Sequence, residues 1–297
     1  MKVVFDIGEI GWSLLHRAHI TWLKENEGSD LLYGIVKVFT LKERVKFYDD
    51  LIPKYNIITD LPEEMYSANL VRNSFLYNNG PPIKDMFRKC DIDSDDVIHG
   101  WKNKDWKSAD CYKDRMVFEP FESHLIDMQE YDKKMLDLDV GKSNIVIMPR
   151  FKIGDPYTEL RNWGVKNWRS LYIMITEKTD WNVIIAGRYG LSYYFEEVKG
   201  RSINLISDDP FSMMLAALND PNTHLAVSSQ SFGGKLALLQ NVDTIMWGHQ
   251  KQRHKVDENW SSKEGVKCIF FEDMEYNIKP EGIFSAIEDY IEEKDGS

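Results

Sequence analysis

Residues 228–241, "SSQSFGGKLALLQN", bring small hydroxyl side chains and a glycine pair directly into an apolar helical pattern. Gly233 and Gly234 would let a backbone approach an anion, and the N–H groups opening the helix would point at it. Ser229 and Ser231 would donate hydroxyl hydrogen bonds beside them, with Gln230 in between. The plainer alternative is a tight strand-to-helix turn with Ser231 as its N-cap. The loop matches neither G-x-x-x-x-G-K-[ST] nor G-x-G-x-x-G, which weighs against an ATPase and a dehydrogenase.

Cationic groups follow other strand-like runs. Arg150 and Lys152 come after "NIVIM", Arg188 closes "WNVIIAG", and His249 follows "TIMWG". Ligands of open α/β sheets bind beyond the carboxyl ends of the strands, so these groups and the serine loop are expected on one rim. Permanently charged side chains beside a helix N-terminus are what a diphosphate requires. After the first strand, "KVVF", come the titratable groups Asp6 and Glu9, with His16 on the helical pattern beyond them. Glu9 could be a solvated carboxylate near a helix N-terminus, Asp6 a turn cap and His16 a packed helix position.

The elements that would position these groups alternate. "KVVF", "YGIVKVFTL" and "YNIITD" read as strands of an N-terminal half, with a helix over the Trp12, Leu15, Ala18, Trp22, Leu23 face. From Gly141 the order is strand "NIVIM", a helix within "ELRNWGVKNWRSLYIMITEKT", strand "WNVIIAG", helix "LSYYFEEV" and strand "SINLIS". Helix "PFSMMLAALND", strand "THLAVSS", helix "GGKLALLQN" and strands "DTIMWG" and "VKCIFF" follow. Alternation at these lengths predicts parallel sheets covered on both faces. The expected division is a Rossmann-like domain over 1–140, with an irregular insertion at about 78–122, and a second over 143–280. A closing amphipathic helix over 281–297 is expected to pack on the body of the protein, on its own domain or back on the N-terminal one.

With 43% hydrophobic and 29% charged residues among 297, the chain reads as globular. No run reaches the roughly eighteen apolar residues of a membrane span. Three cysteines without metal-type spacing and no secretory leader pattern predict a cytoplasmic protein. A net charge of −11 argues against a broad basic face for duplex nucleic acid. "DIDSDDVIHGWK" opens like an EF-hand loop but carries Asp96 and Lys102 where glycine and glutamate are needed. Asp91 with Asp93, and Asp137 with Asp139, match D-x-D at a spacing that an aspartate-rich chain produces by chance. No histidine pair has zinc spacing, so no metal site is expected. Trp101 and Trp106, set among lysines, could stack on a sugar or a base, and packing within the insertion is the simpler account.

The pieces "VIMPRFK", "LRNWGVKNW", "WNVIIAGRYG", "PFSMMLAALND", "HLAVSSQSFGGKLALLQN" and "TIMWGHQ" together resemble the C-terminal half of GT-B fold glycosyltransferases. They are most similar to the ADP-heptose:lipopolysaccharide heptosyltransferase family, glycosyltransferase family nine. The resemblance covers residues 143–250, and "KVVFDIGEIGWSLLHRAHITWL" extends it to the N-terminus. It implies two Rossmann-like domains with a cleft between them and a nucleotide-diphosphate sugar as donor. It also implies an inverting transfer to an acceptor hydroxyl without a metal or other cofactor. Arg150, Lys152, Arg188, Ser229, Gln230, Ser231, Gly233, Gly234 and His249 would hold the donor, and Glu9, Asp6 or His16 would serve the acceptor. Gln230, Ser231 and Gly233 stand where the family carries Asp-Ser-Gly, so the resemblance points to a nucleotide sugar rather than to heptose. A carbohydrate acceptor is expected. The alternatives are a viral-type DNA-modifying glycosyltransferase, a nucleotide-sugar epimerase and a non-catalytic nucleotide- or sugar-binding protein.

Overall fold

The computed structural model describes residues 2–6, 10–27, 36–61, 97–98, 120–121, 128–139, 141–153, 159, 161–208, 210–249, 260–273 and 276–296. Glu9, Asp91, Asp93, Trp101, Trp106 and most of the stretch 78–122 lie outside the described residues. The chain divides into two compact units, Met1–Phe118 and Glu119–Ser297.

The first unit contains β1 (Lys2–Asp6), α1 (Ile10–Glu27), β2 (Val36–Thr40), β3 (Ile57–Ile58) and β4 (Val97–Ile98). The sheet order is β3-β2-β1-β4, and every pair is parallel. Parallel neighbours need a crossover, and α1 supplies the first, burying Leu14, Leu15, Ala18 and Leu23. After β2 the chain makes 3₁₀ turns at Lys42–Phe47 and Lys54–Asn56 instead of a full helix. The Lys42–Phe47 turn carries Arg44 back to the end of β1, where it donates to Asp6.

The second unit contains α2 (Met128–Met135), β5 (Asn144–Met148), α3 (Val165–Lys178), β6 (Asn182–Arg188), β7 (Ser202–Ser207) and α4 (Pro210–Asn219). It continues with β8 (Thr223–Ser229), α5 (Phe232–Leu239), β9 (Asp243–Gly248), β10 (Cys268–Glu272) and α6 (Pro280–Asp295). The six strands are parallel in the order β10-β9-β8-β5-β6-β7. Numbered within the unit this is 3-2-1-4-5-6 read from β7, the doubly wound arrangement. The chain runs outward from β5 to β7 and then returns to place β8 on the other side of β5. The topological switch point therefore lies between the carboxyl ends of β5 and β8.

Burial on both faces explains the near-continuous apolar strands. Ile145, Ile147, Val183, Ile185, Leu225, Val227, Ile245 and Trp247 share one core with α3 and α6. From α6, Ile283, Phe284 and Ile287 enter that core, each worth roughly 1.5–3 kcal/mol when fully buried. Tyr290 completes the docking by donating to Asp243 Oδ2 at 2.7 Å. On the opposite face α4 is buried from Phe211 to Leu218. It can be apolar all round because α2 covers its outer side. Phe121 packs edge-on against Phe211 at 5.0 Å, and Tyr131 of α2 donates to Asp220 at 2.9 Å. These contacts tie Phe121 and α2 to the second unit, which begins at Glu119.

"LSYYFEEV" is not a helix. Residues 189–193 form a strap antiparallel to 149–151, with Phe151 N donating to Leu191 O at 2.7 Å and Tyr193 N to Pro149 O at 2.9 Å. Residues 195–198 then cover the edge strand β7: Asn204 Nδ2 donates to Phe195 O at 2.7 Å, and Tyr172 stacks on Phe195. These tertiary partners outweigh a helix-compatible pattern. Among the described residues no helix is long and apolar enough to cross a membrane.

Candidate functional site

The switch point brings two segments together. From β5 come Pro149, Arg150 and Lys152. From β8 come Ser228, Ser229, Gln230 and Ser231, leading into α5. The opening loop of the sequence thus stands where doubly wound sheets bind ligands.

Its glycines have a packing role. A Cβ on Gly233 would fall 2.5 Å from Met148 Sδ and 3.2 Å from Met148 Cβ, and one on Gly234 would run into Met246 Cε. Both residues are buried, and their lack of side chain lets α5 settle onto β5 and β9. The reading that they admit an anion to the backbone is thus not needed to explain them. Gly248 at the end of β9 is likewise occupied by neighbouring Gln230, whose Cβ would lie 2.6 Å from an added carbon.

The serines divide the work differently from a simple cap. Ser231 stands at the N-cap position with extended backbone, φ −152 and ψ −175, yet its hydroxyl does not cap the helix. It meets Ser228 Oγ at 3.0 Å, while Ser228 Oγ donates to Ser229 O at 2.7 Å. Ser229 Oγ is buried and makes no hydrogen bond among the described residues. The first turn of α5 is therefore left without a hydroxyl cap, and the helix dipole favours negative charge there.

Gln230 is a brace. Its N–H donates to Trp247 O at 2.8 Å, its Oε1 accepts from Tyr276 at 3.2 Å, and its side chain packs on Gly248. Its carbonyl accepts from Arg161, with Nε at 3.0 Å and Nη2 as a second donor. Arg161 makes no ion pair with a carboxylate among the described residues. It was missed by inspecting only what directly follows each strand, because it precedes α3 instead. Its neighbour Asn162 is buried and takes the other side: Oδ1 accepts from Arg150 Nη1 at 3.1 Å and from Lys152 N at 2.9 Å. The "NWG" turn in the sequence was the available signal for both.

Arg188 is exposed at the end of β6, and its N–H is held by Ser192 Oγ at 3.2 Å. Ser192 fits there because residue 187 is glycine, with no room for a Cβ beside the hydroxyl. His249 follows β9 and is half-buried. Asp137 and Asp139 lie beside residue 200 at the amino ends of β6 and β7, and Asp139 pairs with Lys142 at 3.2 Å.

In the first unit Asp6 is fully buried at the end of β1. Ser13 donates to its carboxylate at 2.9 Å, Tyr48 at 2.7 Å and Arg44 at 3.1 Å. Thr40 donates to its carbonyl at 3.0 Å. Burial pushes its pKa up, but neighbouring His16, Arg44 and Tyr48 outweigh burial and hold it below the ordinary carboxylate value. A carboxylate so thoroughly used is an anchor for β1, α1 and the Lys42–Phe47 turn, and a weak base. His16 is buried too, with its Nδ1 lying 3.7 Å from Asp6 Oδ1 and making no hydrogen bond among the described residues. Burial against Asp6 pushes the Tyr48 phenol well above its usual pKa.

Two units, each built on a parallel sheet with a Rossmann-type switch point, define the GT-B class of fold. The chain is similar in structure to the ADP-heptose lipopolysaccharide heptosyltransferase II of E. coli. The TM-score is 0.61 at 10% identity, over 99% of this chain and 100% of that one. It is also similar to a glycosyl transferase of family 9 from Veillonella parvula, with a TM-score of 0.60 at 11% identity over 98% and 97% of the two chains. No protein-family model matches the chain, and no curated protein sequence matches it.

Proposed function

We propose that the protein is a glycosyltransferase that takes a sugar from a nucleotide-diphosphate donor. The observation that carries the reading is Arg161 on the carbonyl of Gln230, beside the start of α5 and at the switch point of the second unit. The shared fold with the heptosyltransferase supports it.

In the proposed reaction an acceptor oxygen attacks the anomeric carbon as its bond to the diphosphate breaks. The electron pair leaves with the diphosphate. Arg161, with Arg150 and Lys152 from the β5 side, would meet the charge that accumulates there, together with the N–H groups opening α5. Ser229 Oγ would add a hydroxyl donor. Gln230, Gly233 and Gly234 would hold this loop in shape, while Arg188 and His249 would stand at its margins. The acceptor proton would go to a side-chain base, with Glu9 as first candidate and Asp6 and His16 after it. Side-chain cations in place of a metal make the proposed transfer metal-independent, and a single displacement makes it inverting.

The test is a thermal-shift panel of ADP, UDP, GDP, CDP and dTDP with their sugars. A ligand at about a hundred times its dissociation constant stabilises a fold by roughly 2.7 kcal/mol. The expected result is a shift with one nucleotide that is lost in Arg161→Ala. With that donor in hand, transfer that persists in chelator and inverts the anomeric centre by NMR completes the reading. No shift with any member of the panel overturns it.

A further inference from the structure

The turn that carries Arg161 and Asn162 has an unusual backbone. Trp163 has φ 57 and Gly164 φ 73, and the left-handed region is disfavoured for a bulky side chain. Packing holds it there: the Trp163 indole lies 4.4 Å from Trp247 and 5.1 Å from Trp168, and its Nε1 donates to Ile278 O at 2.7 Å. A conformation over-determined in this way aims the two preceding residues. Arg161 reaches the β8 loop, and Asn162 reaches the segment after β5.

Every polar atom of the Asn162 amide group is used. Oδ1 accepts from Arg150 Nη1 and Lys152 N, Nδ2 donates to Lys152 O at 3.0 Å, and its own carbonyl accepts from Trp168 Nε1 at 3.1 Å. The backbone of 149–151 is separately held by the 189–193 strap. The distinctive contribution of Asn162 is thus to the Arg150 guanidinium and to Lys152.

We propose that Asn162 is the positioning residue of the anion site, a neutral amide that orients Arg150 without cancelling its charge. This rests on the diphosphate reading above. A carboxylate at the same place would accept the same hydrogen bonds and neutralise the cation that a dianion needs. An amide gives the geometry and adds no negative charge of its own.

The experiment measures binding of inorganic pyrophosphate, ADP, UDP and GDP by calorimetry, with melting temperature alongside. It compares the wild type with Asn162→Asp, Asn162→Ala and each of these in an Arg150→Ala background. The expected result is that Asn162→Asp binds more weakly than Asn162→Ala, by roughly tenfold or more against wild type, even where it melts no lower. In the Arg150→Ala background the difference between the two variants disappears. If both variants lose affinity equally in step with melting temperature, or if their difference survives Arg150→Ala, Asn162 is a structural residue and the inference is overturned alone. If the wild type binds none of the four, the diphosphate reading falls and takes the inference with it.

Discussion

Arg161 places Nε and Nη2 on one acceptor, the carbonyl oxygen of Gln230, and so joins the start of α3 to the loop between β8 and α5. A guanidinium can hold that carbonyl with two N–H groups and still present a planar pair of donors on its remaining edge, a fixed fork that an ammonium lacks. Arg161→Lys is therefore expected to behave much like Arg161→Ala. Both should weaken nucleoside diphosphate binding by roughly tenfold or more while costing stability only about 1 kcal/mol. Calorimetry and denaturant melts on the two variants check this; full affinity in Arg161→Lys would remove the fork geometry from the account.

Gly233 and Gly234 differ in what an added methyl would meet. At Gly233 it meets the Met148 backbone-proximal Cβ as well as Sδ, whereas at Gly234 the first obstacle is the mobile Cε end of Met246. Gly233→Ala is expected to destabilise the protein more, by about 1–3 kcal/mol. Pairing Gly234→Ala with Met246→Leu should recover part of the smaller loss. Equal melting temperatures for the two single variants would contradict the packing account of the glycines.

Gly187 and Ser192 form a similar lock-and-seat pair between β6 and the strap. Gly187→Ala would drive its methyl into Ser192 and displace the strap, at a cost of about 1–3 kcal/mol. Ser192→Gly in the same chain opens the space and gives up the hydrogen bond to Arg188 N. A double-mutant cycle should therefore show favourable coupling, and additive losses would show that the strap does not depend on this contact.

Asp6 links stability to pH in the acid range. Its pKa is lower in the folded protein than in the unfolded chain, so its contribution is present above the unfolded value and is lost as pH falls through the folded one. Acid unfolding below about pH 4 should be blunted in Asp6→Asn, which starts from a stability lower by about 3 kcal/mol because the buried Arg44 loses the Asp6 carboxylate charge. Urea midpoints between pH 3 and 7 for both proteins check the sign: the gap between them should narrow towards acid.

The elements themselves were largely legible. Apolar, β-branched runs such as "NIVIM" and "WNVII" have no other use at that length, and Pro210 and the Ser-to-Gly loop mark helix starts that the structure keeps. "LSYYFEEV" shows the limit, because its backbone is claimed by residues 149–151 and by Asn204, which are distant in sequence. Arg161 and Asn162 escaped for a related reason. They follow no strand directly, and a turn held open by three tryptophans brings them to the strand ends.

Periodicity and composition, read alone, determined that this chain forms parallel sheets sandwiched by helices, and which strand ends carry charge and hydroxyl groups. Only the tertiary structure decided that β8 pairs with β5, which puts Ser229 and Arg150 on either side of one switch point. It also decided that the two glycines serve helix-to-sheet contact. Local pattern reports which face of an element is apolar, a property of a few neighbouring residues. Strand order and close approach depend on which distant surfaces fit together, and that information belongs to pairs of segments rather than to either one.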